Sequence, residues 1–162
     1  FTEQHSNLIY YGESGGLDES FSDMAAQAAD YFSTGTNDWK IGADITKGDA
    51  SIALRYMDQP SRDGRSIDSA DQYYPGLDVH FSSGVFNRLF YLIATKQGWD
   101  THKAFDVMVK ANVDYWTPNT TFQEAACGVL SAAEDLKYPL RDVQSSLDAV
   151  AISHIHCQVP VI

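Results

Sequence analysis

The sequence is short of basic residues: its 162 positions hold 11 Lys and Arg against 22 Asp and Glu, a formal net charge of −11. Without a basic patch to neutralise phosphates, a nucleic-acid partner is not expected. There is no apolar run near the roughly 18 residues that a membrane-spanning helix needs, so no membrane insertion is expected either. The opening residues FTEQH form neither the basic nor the apolar part of a signal peptide. Without an initiator Met they read as a start inside a longer polypeptide. Also absent are a His-Glu-Xaa-Xaa-His zinc motif, a serine nucleophile elbow, a phosphate-binding loop and a dinucleotide fingerprint. Cysteine is scarce too. Cys127 and Cys157 allow one intramolecular pairing, which an exporting compartment would favour as a disulfide and the cytosol as two buried thiols.

What is present suits one compact domain. Hydrophobic residues make up 44% of the chain, enough for a real core. Helical spacing of apolar residues predicts a mainly α fold with five helices. The first covers 16–32, with Leu17, Phe21, Met24 and Ala28 on one stripe. The second covers 83–95 and is apolar nearly all round, as a buried central helix would be. The third covers 101–115. The fourth starts from a capping box in which Thr121 caps and Glu124 reaches back. The fifth starts near Pro139, a favoured first-turn residue. Residues 33–78 are rich in glycine and carry Pro60 and Pro75, with no sustained period. A long irregular stretch inside a compact domain is expected to be functional or stapled by a cation. Its Trp39, Leu54, Tyr56, Met57, Tyr73 and Tyr74 are expected to seek burial.

Several residues could carry chemistry. Glu19 and Asp23 are four apart, so they stack one turn from each other on a helix face and repel unless a cation or histidine lies between them. Two solvated surface acids is the competing reading. His80 stands two residues after Asp78 at the entrance to the apolar helix, where a carboxylate could orient it as a proton donor. Arg55 reads either as a salt-bridge partner or as a clamp on a carbonyl or carboxylate. His154 and His156 flank Ile155 beside Cys157, an arrangement that could bind metal but in a terminal tail reads as structural.

Four stretches in order, 12–23 (GESGGLDESFSD), 53–64 (ALRYMDQPSRDG), 78–87 (DVHFSSGVFN) and 126–129 (ACGV), resemble the thermolysin family of zinc metalloendopeptidases, in its pseudolysin and vibriolysin branch. The resemblance spans nearly the whole chain, 1–162. It implies the helical C-terminal domain of the thermolysin-like fold. Glu19 then matches the third zinc ligand and Asp23 the acid that orients a zinc-bound histidine. His80 matches the histidine that stabilises the oxyanion, with Tyr10 assisting and Asp78 supporting it. Arg55 matches the arginine that holds the substrate carbonyl, and Leu54 lines an apolar S1′ pocket. Asp30, Asp38 and the Lys40 carbonyl match ligands of a calcium site, in which Gln27 stands where the family pattern has a glutamate. A Cys127–Cys157 disulfide, a secreted bacterial monomer, and a preference for bulky apolar P1′ residues follow from the same likeness. So do peptide substrates and partners in the form of the protein's own N-terminal domain and propeptide. Both zinc histidines and the general-base glutamate would lie just before Phe1, so the chain alone is expected to be inactive. The alternative is a non-catalytic binding module that kept the fold.

Overall fold

The computed structural model describes residues 1–45 and 52–157. Five long helices carry the fold: α1 (Gly12–Thr34), α3 (Gly84–Ala94), α4 (Thr101–Asp114), α5 (Phe122–Asp135) and α6 (Leu140–Ala149). A one-turn helix, α2 (Val79–Ser82), runs into α3. The apolar helix α3 is central as expected, and α1, α4 and α6 pack on it. Its Val85, Phe86, Leu89, Phe90 and Ile93 are fully enclosed, meeting Leu17 and Met24 of α1, Met108 of α4 and Leu147 of α6 in one continuous core.

The helix ends follow local chemistry. Gly35 closes α1 in the left-handed conformation, φ 75°, and its N–H returns to the Tyr31 carbonyl at 2.8 Å. Asp100 caps α4 by accepting from the Lys103 N–H at 2.8 Å. The capping box of α5 forms as expected, Glu124 accepting from the Thr121 N–H at 2.8 Å. Pro139 is the N-cap of α6 rather than its first-turn residue.

One boundary departs from the expectation. Helix α1 begins at Gly12, not Gly16, so Gly15 and Gly16 lie inside the helix. Glycine there lets α1 approach α2 closely: a Cβ on Gly15 would come within 2.5 Å of Val79 Cγ1, and one on Gly16 within 2.4 Å of Ser82 Oγ. The pair therefore sets where α2 sits, and α2 carries His80.

The irregular region holds a two-stranded antiparallel ribbon, β1 (Lys40–Ile41) with β2 (Arg55–Tyr56), paired Lys40 to Tyr56 and Ile41 to Arg55. Turns of 3-10 helix at Ala43–Ile45, Pro60–Asp63 and Ala70–Gln72 make up much of the rest; residues 46–51 lie outside the described part. Tyr56 and Met57 are buried, and Trp39 and Tyr73 pack on the core. Leu54 and Tyr74 do not seek burial; both are more than half exposed. Carboxylates fasten part of this region from within. The Asp68 carboxylate accepts from the Ser61 N–H and hydroxyl at 2.8 and 2.7 Å, and the Asp63 carboxylate accepts from the Ser66 N–H at 2.7 Å.

Cys127 on α5 and Cys157 in the tail after α6 are joined in a disulfide, 30 residues apart in sequence. In the chain-entropy model a loop of that length is worth about 3–4 kcal/mol. The same bond removes the Cys157 thiol from any metal role, and His154 pairs with Asp148 at 3.3 Å. That contact ties the tail back to the end of α6.

Gly84 opens α3 against backbone that cannot retreat. A Cβ there would lie 2.3 Å from the Ile67 carbonyl oxygen and 2.8 Å from Pro60 Cβ. Gly84→Ala is expected to lower stability by about 2–3 kcal/mol through overpacking. Urea denaturation checks this, and an unchanged midpoint would contradict the tight contact.

Candidate active site

Glu19 and Asp23 face the same side of α1, one turn apart, and three other segments converge on them. Tyr10 comes from the stretch before α1, Arg55 from β2 and His80 from α2. The Tyr10 hydroxyl donates to Glu19 Oε1. His80 Nε2 lies 3.8 Å from the same oxygen, and Arg55 Nη2 lies 3.9 Å from Glu19 Oε2. The Glu19 side chain is 19% exposed, so its carboxylate opens to solvent on one side.

Asp23 is enclosed, its side chain only 4% exposed. Arg55 grips it with two parallel bonds of 2.7 Å, Nε to Oδ2 and Nη2 to Oδ1. This fork geometry is the strong form of an Arg–carboxylate pair. Asn87 of α3 adds a third bond, Nδ2 to Asp23 Oδ2 at 2.8 Å, and is itself held by the Ser20 hydroxyl donating to its Oδ1 at 2.7 Å. A carboxylate offers about four acceptor positions, so Asp23 retains one, on Oδ1. Arg55 likewise spends two of its five N–H groups on Asp23. Both readings made of Arg55 are therefore compatible: it is a salt-bridge partner, and it keeps donors for a ligand. Attraction to Asp23, chiefly through the hydrogen bonds, pushes the guanidinium pKa above its ordinary value despite burial.

His80 is oriented by Asp78 as the spacing suggested. Asp78 caps α2 by accepting from the His80 backbone N–H at 2.9 Å, and its Oδ1 lies 2.7 Å from His80 Nδ1. The ring proton on Nδ1 therefore points at Asp78, leaving Nε2 toward Tyr10 at 3.3 Å. Because the single Tyr10 proton goes to Glu19, the Tyr10–His80 contact is a hydrogen bond when Nε2 is protonated and donates to the phenol oxygen. The His80 backbone bond, then its ring, hold the Asp78 carboxyl below the usual range. A group lowered this way contributes stability above its unfolded value near ~3.9, lost as pH falls through its folded value. The tether thus stays intact at neutral pH. Burial of the Tyr10 hydroxyl, then its bond to Glu19 and the nearby acids, push the phenol up to about 12. Tyr10 is a proton-bearing donor at neutral pH.

Leu54 stands 54% exposed beside Arg55. Asp30 and Asp38 line one shallow cleft of about 300 Å³ with Thr34 and Thr36. Lys40 lines the same cleft, its backbone N–H donating to Asp38 Oδ1 at 2.9 Å, while its carbonyl accepts from Gln27 Nε2 at 2.9 Å. Among the described residues no three His, Cys, Asp or Glu side chains come together to hold a metal. For zinc the donor set fits in part: Glu19 offers a carboxylate oxygen at an open edge, with Asp23 able to take one further N–H. A catalytic zinc takes three protein ligands, more than the described residues bring together.

The family model for the thermolysin metallopeptidase alpha-helical domain matches residues 6–152. The chain belongs to the thermolysin family. This thermolysin-family domain is 66% identical over 158 residues to a zinc metalloproteinase, MspA, of Legionella longbeachae, covering 97% of the chain and 30% of that protein. It is 57% identical over 153 residues to the hemagglutinin/proteinase of Vibrio cholerae, covering 94% of the chain and 25% of that protein. Among solved structures it is similar to the precursor of protealysin, a metalloproteinase from Serratia proteamaculans. That match has a TM-score of 0.83 and 28% identity, over 94% of the chain and 54% of the other. The domain spans about a third or less of the length of these two curated relatives.

Asn87, Ser20 and the glycine pair are the contributors that sequence reasoning passed over. Asn87 left a signal, because one amide among Val85, Phe86, Leu89 and Phe90 must find a partner in the core. Asp23→Asn is expected to cost about 3 kcal/mol, because it leaves the largely enclosed Arg55 charge without its partner. The check is a urea melt; a loss under about 1 kcal/mol, the level of an exposed pair, would contradict the burial argument.

Proposed function

We propose that this domain is the C-terminal half of a secreted zinc-dependent endopeptidase whose remaining zinc ligands and general base come from sequence upstream of it. The observation that carries this reading is the convergence of Tyr10, Arg55 and His80 on the Glu19 carboxylate. Three proton donors around one open carboxylate is an arrangement suited to a metal ligand beside a developing oxyanion.

Zinc, when bound, supplies Lewis acidity and lowers the pKa of a bound water toward neutrality. Glu19 would hold it through a carboxylate oxygen. Asp23 would accept an upstream imidazole N–H at its free Oδ1 position, fixing that ring's tautomer. His80, steadied by Asp78, and Tyr10 would donate to the peptide carbonyl oxygen as it gains charge. Arg55, anchored on Asp23, would give its spare N–H groups to the carbonyl on the leaving-group side. The exposed Leu54 beside it supports an apolar surface for a bulky P1′ side chain. Extended peptides are the substrates of this reading, and the protein's own N-terminal domain and propeptide its partners, in a monomer. The disulfide and the bacterial relatives support an extracellular setting. Among the described residues no helix is long and apolar enough to cross a membrane.

Two outcomes are expected in a furylacryloyl-peptide assay. In the protein with its upstream sequence, His80→Ala should lower kcat by about 10²–10³ with little change in KM, as loss of an oxyanion donor does. An unchanged kcat would overturn its role. The purified 162-residue chain should show no turnover with added zinc, and measurable turnover would sink the division of the site proposed here.

A further inference from the structure

The junction between α1 and β1 is closed by a chain of side-chain amides whose hydrogen-bond directions are all determined. Thr101, the first residue of α4, donates its hydroxyl to Asn37 Oδ1. Asn37 Nδ2 donates to two oxygens of Gln27, the backbone carbonyl at 2.7 Å and the side-chain Oε1 at 3.0 Å. Gln27 Nε2 then donates to the Lys40 carbonyl at 2.9 Å. Gln27 is fully enclosed, so water cannot take over any of these bonds.

Two of the acceptors in this network, the Gln27 and Lys40 carbonyls, are backbone groups, which cannot exchange donor for acceptor. The Gln27 carbonyl requires the Asn37 amide to present nitrogen. With nitrogen there, the Gln27 side chain must present oxygen to Asn37 and therefore nitrogen to Lys40. Turning the Gln27 amide over would set its oxygen against the Lys40 carbonyl and its NH₂ against that of Asn37, two like-group contacts in a site without water. Each such unmet polar group is costly.

Gln27 and the Lys40 carbonyl are two of the four groups of this chain that the family resemblance would assign to a calcium ion. Calcium binds only oxygens, and an N–H donor turned toward a carbonyl is the opposite polarity. We propose that the Gln27 amide, locked by Asn37, stands in the place of that cation, fastening the segment after α1 to the helix without calcium. A glutamate at this position could accept from Asn37 but not donate to Lys40. Two acceptors would then face each other, and a cation between them would relieve the repulsion. The inference is independent of the zinc chemistry proposed above and is read without activity.

The experiment measures Tm of the protein in excess EGTA and in millimolar calcium chloride, for the wild type, Gln27→Glu and Asn37→Ala. A site with a Kd near about 10⁻⁴ M would raise Tm by several degrees under these conditions. Gln27→Glu is expected to lose several degrees in EGTA and to regain more from calcium than the wild type does. A wild type that gains as much as Gln27→Glu would overturn the proposal, whatever other sites the protein carries. Asn37→Ala is expected to lower Tm equally in both solutions, so the test survives if Gln27→Glu fails to fold. An unchanged Tm for Asn37→Ala, or a loss that calcium repairs, would also overturn it.

Discussion

The fork between Arg55 and Asp23 is the contact on which the geometry of this domain turns. Asp23 belongs to α1, Arg55 to the ribbon of the irregular region, and Asn87, the third partner, to the central helix α3. Three elements far apart in sequence are thus joined at one enclosed carboxylate. A buried ion pair is weak evidence of net stability, since desolvation offsets most of the attraction. Its effect here is positional. The alternatives to the observed pairing leave a charge without a partner in the interior, so the ribbon has one place to dock and Arg55 one direction to point.

Close backbone approach sets the other side of the site. Glycines 15 and 16 admit α2 against α1, which brings His80 to within 3.8 Å of Glu19 without either residue leaving its own helix. Glu13 secures the start of α1 by accepting from the Phe122 N–H, at the start of α5, at 2.6 Å. The Asp78–His80 bond then fixes the ring's orientation.

The helices were legible in the sequence because the apolar period is strong: α3 and α4 form within about a residue of where Phe86, Leu89, Phe90, Val107 and Met108 place them. The start of α1 was not, because two adjacent glycines ordinarily argue against a helix, and the reason for them lies in α2, over sixty residues away. Spacing put Glu19 and Asp23 on one face and Asp78 beside His80, which are local facts. The joining of Arg55 to Asp23 is a contact across 32 positions, which spacing cannot show, so the salt bridge was only one of two readings open for Arg55. Leu54 and Tyr74 were expected inside on hydrophobicity alone; exposed apolar residues are common enough that hydrophobicity carries little weight for a single residue. Gln27 was visible as a departure from the family pattern, but the direction of its amide depends on Asn37 and Thr101.

The central claim is that Glu19 is one corner of a zinc site completed from upstream. Zinc content after equilibrium dialysis at fixed free zinc tests it most directly, comparing the protein that includes its upstream sequence with its Glu19→Gln variant. The account predicts stoichiometric zinc in the first and a loss of affinity of at least about 10²-fold in the second, more than a residue outside the ligand set would cost. Undiminished zinc binding by Glu19→Gln would contradict it.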